Sequence, residues 1–298
     1  MKKFISSLFT AAIAATAFIG CEGNVDGADT DACYADPLKD GSGIEVICGS
    51  SSIGKLKNDT DPIKYTPGEE YNTFIGIKKV YEKIADDEKV LFILRHAERP
   101  KDDYSKSAHL TDMGRFQAQF TGEQIKGEEP ITYLHSEGFA RTRETVQNIA
   151  IGRNENNASI TASSILNGKW YVKNEAVIDS IKSTGDWDYP LYTAWAYTGK
   201  YAETGAFYDF EKRSEELINT LVPNYESMSK YTIAASHDLL VTPLAIYVTN
   251  KKINLRFYED NNNNWLNYMA GVAIIINSNN ERRYVPVKGL DEGVMLFY

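Results

Sequence analysis

Val90-Leu91-Phe92-Ile93-Leu94-Arg95-His96-Ala97-Glu98-Arg99-Pro100 is the stretch on which the reading of this chain turns. Five consecutive apolar residues bounded by charge read as a strand buried on both faces, the pattern of a central strand in an α/β sheet. The run stops at Arg95-His96, so the backbone carries a permanent cation and an imidazole to the strand end, the lip where open α/β sheets place their ligands. Imidazole is a good nucleophile toward phosphorus, and a phosphoryl group in transfer needs chiefly positioning and neutralisation of the charge on its oxygens. The planar fork of arginine supplies both, and its charge beside His96 lowers the imidazole pKa and keeps a lone pair available. Taken alone, the stretch also reads as a surface Arg-His-Glu-Arg cluster.

One arginine cannot satisfy three phosphoryl oxygens, so further donors are needed from elsewhere in the chain. Ile131-Thr132-Tyr133-Leu134-His135-Ser136 reads as a short strand running into Phe139 to Ala150, whose apolar positions recur with helical spacing and place Arg141 in the first turn. Arg143 is a rival for the same role. Because residues two apart on a helix diverge, only one of the two is expected to face the strand end. Tyr231 to Ser236 reads as a third strand ending in His237-Asp238, followed by an apolar helix from Leu239 to Tyr247. His237 would then stand at a helix N-terminus, where backbone N–H groups favour an anion.

These pieces, with Leu110-Thr111-Asp112-Met113-Gly114-Arg115-Phe116-Gln117-Ala118 between the first two, resemble in order the motifs of the histidine phosphatase superfamily, which contains phosphoglycerate mutases, acid phosphatases and phytases. The resemblance implies that His96 is the residue phosphorylated, that Arg95 and Arg141 grip the phosphoryl oxygens and that His237 completes the pocket. Phytase-like relatives also carry an arginine three residues beyond the histidine, so Arg99 is either a third phosphate ligand or a solvated arginine beside Glu98 and Asp102. The short spacing from His96 to His237 points to the compact branch. Ala97 stands where many relatives have glycine, and Ser136-Glu137-Gly138-Phe139-Ala140 replaces the usual Ser-Pro start of the arginine segment.

A leaving group departing as alkoxide needs a proton, so a carboxyl group should stand beside the phosphorus. Glu175 lies between Arg141 and His237, where the resemblance places the glutamate of the compact branch. Asp238 follows His237 directly, as does the acid of the phytase-like branch, and also reads as a helix cap held ionised by N–H groups. Both stay candidates, with Glu175 ahead. Of the two other histidines, His109 flanks a loop and His135 ends a strand near Arg141, where it either touches the phosphate pocket or, the preferred reading, is a hydrogen-bonded structural residue; no metal spacing occurs and no cofactor is implied.

Lys2 and Lys3 followed by the apolar run Phe4 to Ile19 and Gly20-Cys21 resemble a bacterial lipoprotein signal covering residues 1–20, with Cys21 as the lipidated anchor. Ordinary secretion is the alternative, since Phe18 stands where such signals usually have leucine. Either way the mature chain is expected outside the cytoplasm, in the periplasm or on the cell surface. Residues 21–70 are too polar to pack a core and read as a flexible tether, in which Cys33 and Cys48 either pair or remain free thiols. Residues 71–298 form one α/β domain, a three-layer α/β/α sandwich on a mainly parallel sheet, with strands near 90–95, 131–135, 231–235 and 271–276, an edge strand near 283–287 and a cap insertion at 152–208. The net charge of −9 becomes −11 once Lys2 and Lys3 are removed, which argues against nucleic acid as a partner and leaves substrate capture to the pocket arginines. The expected activity is hydrolysis of small phosphomonoesters, among them sugar phosphates or lipopolysaccharide phosphates. A phosphomutase and a catalytically idle phospho-glycan-binding protein are the alternatives.

Overall fold

The computed structural model describes residues 72–155, 157–185 and 187–296, together with the backbone of a two-residue strand pair, β1 (Tyr34–Ala35) and β2 (Val46–Ile47). The signal at 1–20, Cys21, Cys33, Cys48 and all of the tether except that pair lie outside the described residues.

The elements that follow alternate as the apolar runs predict: β3 (Ile75–Gly76), α1 (Ile77–Tyr81), β4 (Glu88–Arg95), α2 (Asp112–Gln124), β5 (Ile131–Ser136), α3 (Ala140–Gly152), β6 (Ile160–Ser163), α4 (Glu175–Ser183), α5 (Asp188–Thr198), α6 (Phe210–Leu221), β7 (Tyr231–Ser236), α7 (Asp238–Val248), β8 (Asn264–Leu266), β9 (Ala270–Asn277), β10 (Arg282–Lys288) and β11 (Val294–Leu296). Seven of the strands form one sheet in the order β3-β10-β9-β4-β7-β5-β6, and only β9 runs against the others. The mainly parallel α/β architecture is therefore as expected.

Period-two alternation divides the core into two layers. Leu91 and Ile93 of β4 pack with Trp195, Leu217, Leu240 and Leu244 from α5, α6 and α7, whereas Val90, Phe92 and Leu94 pack with Ile77, Ala118, Val146 and Ile149 from α1, α2 and α3. Burying an apolar side chain of this size contributes about 1.5–3 kcal/mol, so β4 is held from both sides and its C-terminal end is a fixed platform.

Two details differ from the sequence reading. Residues 282–288 are not at the sheet edge, because β3 pairs outside β10; a two-residue strand is too short to leave a periodic signal. Residues 152–208, expected as a cap insertion, are in part built into the main body. Ile160–Ser163 joins the main sheet beside β5, and Tyr171, Tyr192 and Trp195 are buried in the same core layer as β4. The apolar side chains of α5 find their complement on α7, which satisfies them in the main body of the domain.

Candidate active site

Strands β4, β7 and β5 lie side by side and run parallel, with Arg95 level with Ser236 and His135 level with Ala235, so their C-terminal ends form one ledge. On that ledge stand Arg95-His96, Ser136 and His237. Helix α3 begins just beyond β5 and α7 just beyond β7, so two helix N-termini also face this edge and add positive potential.

His96 is buried, and its Nδ1 lies 2.7 Å from the Ala97 carbonyl oxygen. A carbonyl only accepts, so Nδ1 carries the proton and Nε2 keeps its lone pair. Burial pushes the imidazole pKa well below its ordinary value, and His237, Arg95 and Arg141 push in the same direction. The neutral form expected of a nucleophile is therefore enforced mainly by desolvation, with Arg95 a lesser cause. The Ala97 amide donates to Thr145 Oγ1 at 3.0 Å, and the backbone at Ala97 has no positive φ, which is why a methyl group is tolerated there.

The loop after His96 is clamped by α2, which explains the Leu110 to Ala118 segment. Thr111 caps α2 by accepting from Gly114 N at 2.9 Å and donates to Glu98 Oε1 at 2.7 Å, while Gln117 Oε1 accepts from the Glu98 amide at 3.1 Å. Gly114 passes so close that an added Cβ would lie 2.1 Å from the Glu98 carbonyl oxygen.

Arg141 projects inward from the first turn of α3 and Arg143 is exposed, so the rivalry is resolved in favour of Arg141. Its Nη2 donates to His237 Nδ1 at 3.3 Å and its Nη1 to the Ser105 carbonyl at 2.8 Å. The His237 ring then carries its proton on Nε2, which faces Ser136 Oγ at 3.2 Å. Burial, then Arg141, lowers His237 to about 3, and burial, then Arg99, lowers Arg141 to about 10. The His96 and His237 rings meet edge to face with centroids 5.6 Å apart. The Ser-Glu-Gly-Phe loop reaches the helix through Gly138, whose φ of 80° suits a residue without a Cβ.

Arg95 is buried and heavily engaged: Nη2 lies 3.2 Å from Asp238 Oδ2, and Nη1 donates to the Leu266 carbonyl. Asp238 Oδ2 also accepts from Trp265 Nε1 at 3.1 Å, and Oδ1 lies 3.0 Å from the Leu239 amide. Burial alone would raise the Asp238 pKa, but Arg95, the Trp265 N–H, His237 and the Leu239 N–H together hold it below the ordinary aspartate value. Arg99 is buried with Nη1 on the carbonyls of Pro100 and Lys101, not solvated beside Glu98 and Asp102. Nε of Arg95 and Nε of Arg141 are buried and have no hydrogen-bond partner among the described residues.

Glu175 is not brought to this cluster. It sits in the exposed first turn of α4, its side chain is 63% exposed, and its carboxylate is paired with Lys169. The sequence order that places it between Arg141 and His237 says nothing about which way α4 faces. His135 is buried and bonded through Nδ1 to the Ser136 carbonyl at 2.9 Å, a structural histidine as expected. The sequence reading missed Trp265 and the Leu266 carbonyl, which hold Asp238 and Arg95; they come from β8, far along the chain, and no local signal marks them.

The fold and the convergence of two histidines with three arginines on the carboxyl edge of a parallel sheet define a class, and a family comparison specifies it. The profile of the histidine phosphatase superfamily (branch 1) matches residues 91–266, and the chain belongs to that superfamily. No protein of curated function matches it by sequence. Among solved structures, it is similar to a phosphoglycerate mutase from Bacillus anthracis str. Sterne, at 13% identity and a TM-score of 0.46, covering 68% of this chain and 94% of that one. It is also similar to a mycobacterial glucosyl-3-phosphoglycerate phosphatase, at 17% identity and a TM-score of 0.41, covering 68% of this chain and 100% of that one. A phosphoserine phosphatase variant from Entamoeba histolytica matches at 17% identity and a TM-score of 0.42, covering 66% of this chain and 94% of that one.

Proposed function

We propose that this chain is a phosphatase that hydrolyses small phosphomonoesters through a phosphohistidine on His96. The observation that carries the reading is a buried, neutral imidazole, its Nε2 lone pair unprotonated, with Arg95 and Arg141 close enough to act on its charge and His237 edge to face with it. A phosphoryl group bound there would have Arg95, Arg99, Arg141 and His237 as its ligands.

In the first step His96 Nε2 bonds to phosphorus as the bond to the ester oxygen breaks, and that oxygen takes a proton from Asp238. In the second, water attacks phosphorus, the N–P bond breaks, and Asp238 takes the proton from water. Asp238 is the carboxylate that the fold delivers to the cluster, and its ionised state suits the second step. For the first, an arriving phosphate draws on Arg95, the partner that keeps Asp238 ionised, and adds negative charge beside it. Both effects raise the Asp238 pKa, so the proton enters with the substrate.

The test is to quench turnover with labelled ester and look for acid-labile, base-stable phosphate on His96. Its presence in wild type and absence in His96→Ala is expected; turnover without it refutes the mechanism. Release of the label to water, rather than its return to substrate, separates hydrolysis from phosphomutase action.

The proposal includes export, with Cys21 as a lipid anchor holding the domain at a membrane surface. Lys2, Lys3 and the apolar run Phe4 to Ile19 ahead of Gly20-Cys21 support it. Membrane fractionation should lose the protein on Cys21→Ser; unchanged partition rules the anchor out.

A further inference from the structure

Each arginine of the pocket lies against an aromatic ring. The guanidinium carbon of Arg95 is 4.2 Å from the Tyr268 ring centroid, that of Arg99 is 4.1 Å from Tyr104, and that of Arg141 is 4.6 Å from Phe139. Face stacking fixes the plane of a guanidinium and leaves its N–H edge for an anion. Packing accounts for Phe139 and Tyr268, which are partly buried, but not for Tyr104, which is 69% exposed.

A second aromatic series begins at the same pocket. Trp265, which donates to Asp238, is fully buried and stacks on Tyr189 with centroids 4.1 Å apart and planes 18° from parallel. Tyr189 meets Trp187 at 4.7 Å, and Trp187 is 47% exposed. The Tyr189 hydroxyl is pushed up by burial first and then by the charge of Asp238, with Arg95, Tyr268 and Tyr104 also within electrostatic reach. Tyr104 from the loop after β4 and the Tyr189-Trp187 pair from α5 and its N-cap are thus each tied to the same charged cluster, one through Arg99 and the other through Trp265 and Asp238. Tyr104 and Trp187, at the outer ends of the two series, are exposed and forgo burial until something covers them.

Resting on the phosphatase reading above, we propose that Tyr104, Tyr189 and Trp187 form a leaving-group subsite for esters whose alcohol is a ring with a flat, weakly polar face. Two alcohols share that chemistry, a sugar ring and an aryl ring. The net acidic chain disfavours a leaving group that carries further negative charge. The subsite acts on binding, so it moves KM more than kcat.

Two measurements test this on the intact chain. In the first, kcat and KM are compared for phenyl phosphate, glucose 6-phosphate, ethyl phosphate and glycerol phosphate. Wild type is expected to favour at least one ring ester over the acyclic pair through a lower KM, and the phenyl and glucose arms tell which ring. One stacking contact is worth about 0.5–1.5 kcal/mol, so the ring-to-acyclic ratio should fall about 5-fold in Tyr104→Ala and in Trp187→Ala and persist in Tyr104→Phe. Both side chains are exposed, so neither variant should fail to fold. A wild-type ratio near one, or a ratio unmoved by both alanine variants, overturns the subsite while leaving the phosphatase reading intact. In the second, calorimetric titration compares phenylphosphonate with methylphosphonate and needs no turnover. Tighter phenylphosphonate binding in a chain inert toward every ester would sink the catalytic reading alone, and equal affinities together with no glucose preference in the first measurement would sink the subsite.

Discussion

The loop that leaves β4 and the segment that carries Glu175 look alike in sequence: each is short, charged and placed between apolar runs. In the fold they part company. Ala97 and Glu98 are tied down by Thr145, Thr111 and Gln117, and the side chains of His96 and Arg99 are buried, so chemistry placed there keeps one geometry. Glu175 stands on an exposed helical turn with a surface lysine for company, an arrangement worth roughly 0–1 kcal/mol that fixes nothing. The contrast shows that spacing along the chain nominates residues, while strand register and backbone clamping decide which of them act together.

The sharpest way to break the contrast is to remove one group from each region. His96→Ala should cost at least about 10⁴-fold in kcat, since it removes the proposed nucleophile, whereas Glu175→Gln should stay within about 2-fold. Steady-state assay with nitrophenyl phosphate checks both, and a large loss from Glu175→Gln would bring α4 back into the site.

Asp238→Asn comes next. General acid catalysis contributes about 10²–10⁴-fold, so the variant should lose that much on an alkyl ester and far less on nitrophenyl phosphate, whose leaving group needs no proton. Equal losses on both esters would mean that Asp238 merely orients Arg95 across their 3.2 Å contact.

Much of this was readable from residues alone, for physical reasons that differ by element. β4 announces itself because burial on both faces demands an unbroken apolar run; helix geometry says that Arg141 and Arg143 cannot both face the site, and the resemblance to the family pattern is what picks Arg141. The reversal of β9 leaves no trace, since an apolar run carries no direction. β6 is Ile-Thr-Ala-Ser, an edge strand whose polar side chains hide it. The partnership of Arg95 with Asp238 arises from the pairing of β4 with β7, and its brace by Trp265 from the short strand β8 far along the chain; non-local contacts of this kind have no local signature.

Gly114 tests the clamp itself. A Cβ there would press on the Glu98 backbone, which cannot rotate away as a side chain would, so Gly114→Ala should cost about 1–3 kcal/mol in denaturant unfolding and lower activity by shifting the loop that follows His96. Gly76→Ala is the control. Nothing lies within 4 Å of a Cβ at Gly76 and its φ of −55° is ordinary, so its unfolding should move by no more than about 0.5 kcal/mol. Equal effects from the two would mean that α2 does not brace the loop.

The smallest expected effect concerns protons. His237 titrates near 6.5 when unfolded and is lowered to about 3 in the folded chain by burial and Arg141. Between those values the unfolded state binds the extra proton, so stability rises with pH across the window; the contribution is whole above about pH 6.5 and is lost progressively as pH falls toward 3. His96 is displaced in the same direction and adds a loss of the same sign. Asp238 starts from a lower ordinary value, 3.8, and is lowered further, so neither of its states titrates appreciably between pH 7 and 5.5. Over that interval His237 alone should account for about 1 kcal/mol of lost stability, measurable as a shift of the urea midpoint. His237→Gln should flatten the slope by that amount. A slope insensitive to His237 would mean that the ring is protonated and solvated in the folded chain, and the neutral, desolvated ledge on which the site depends would not exist.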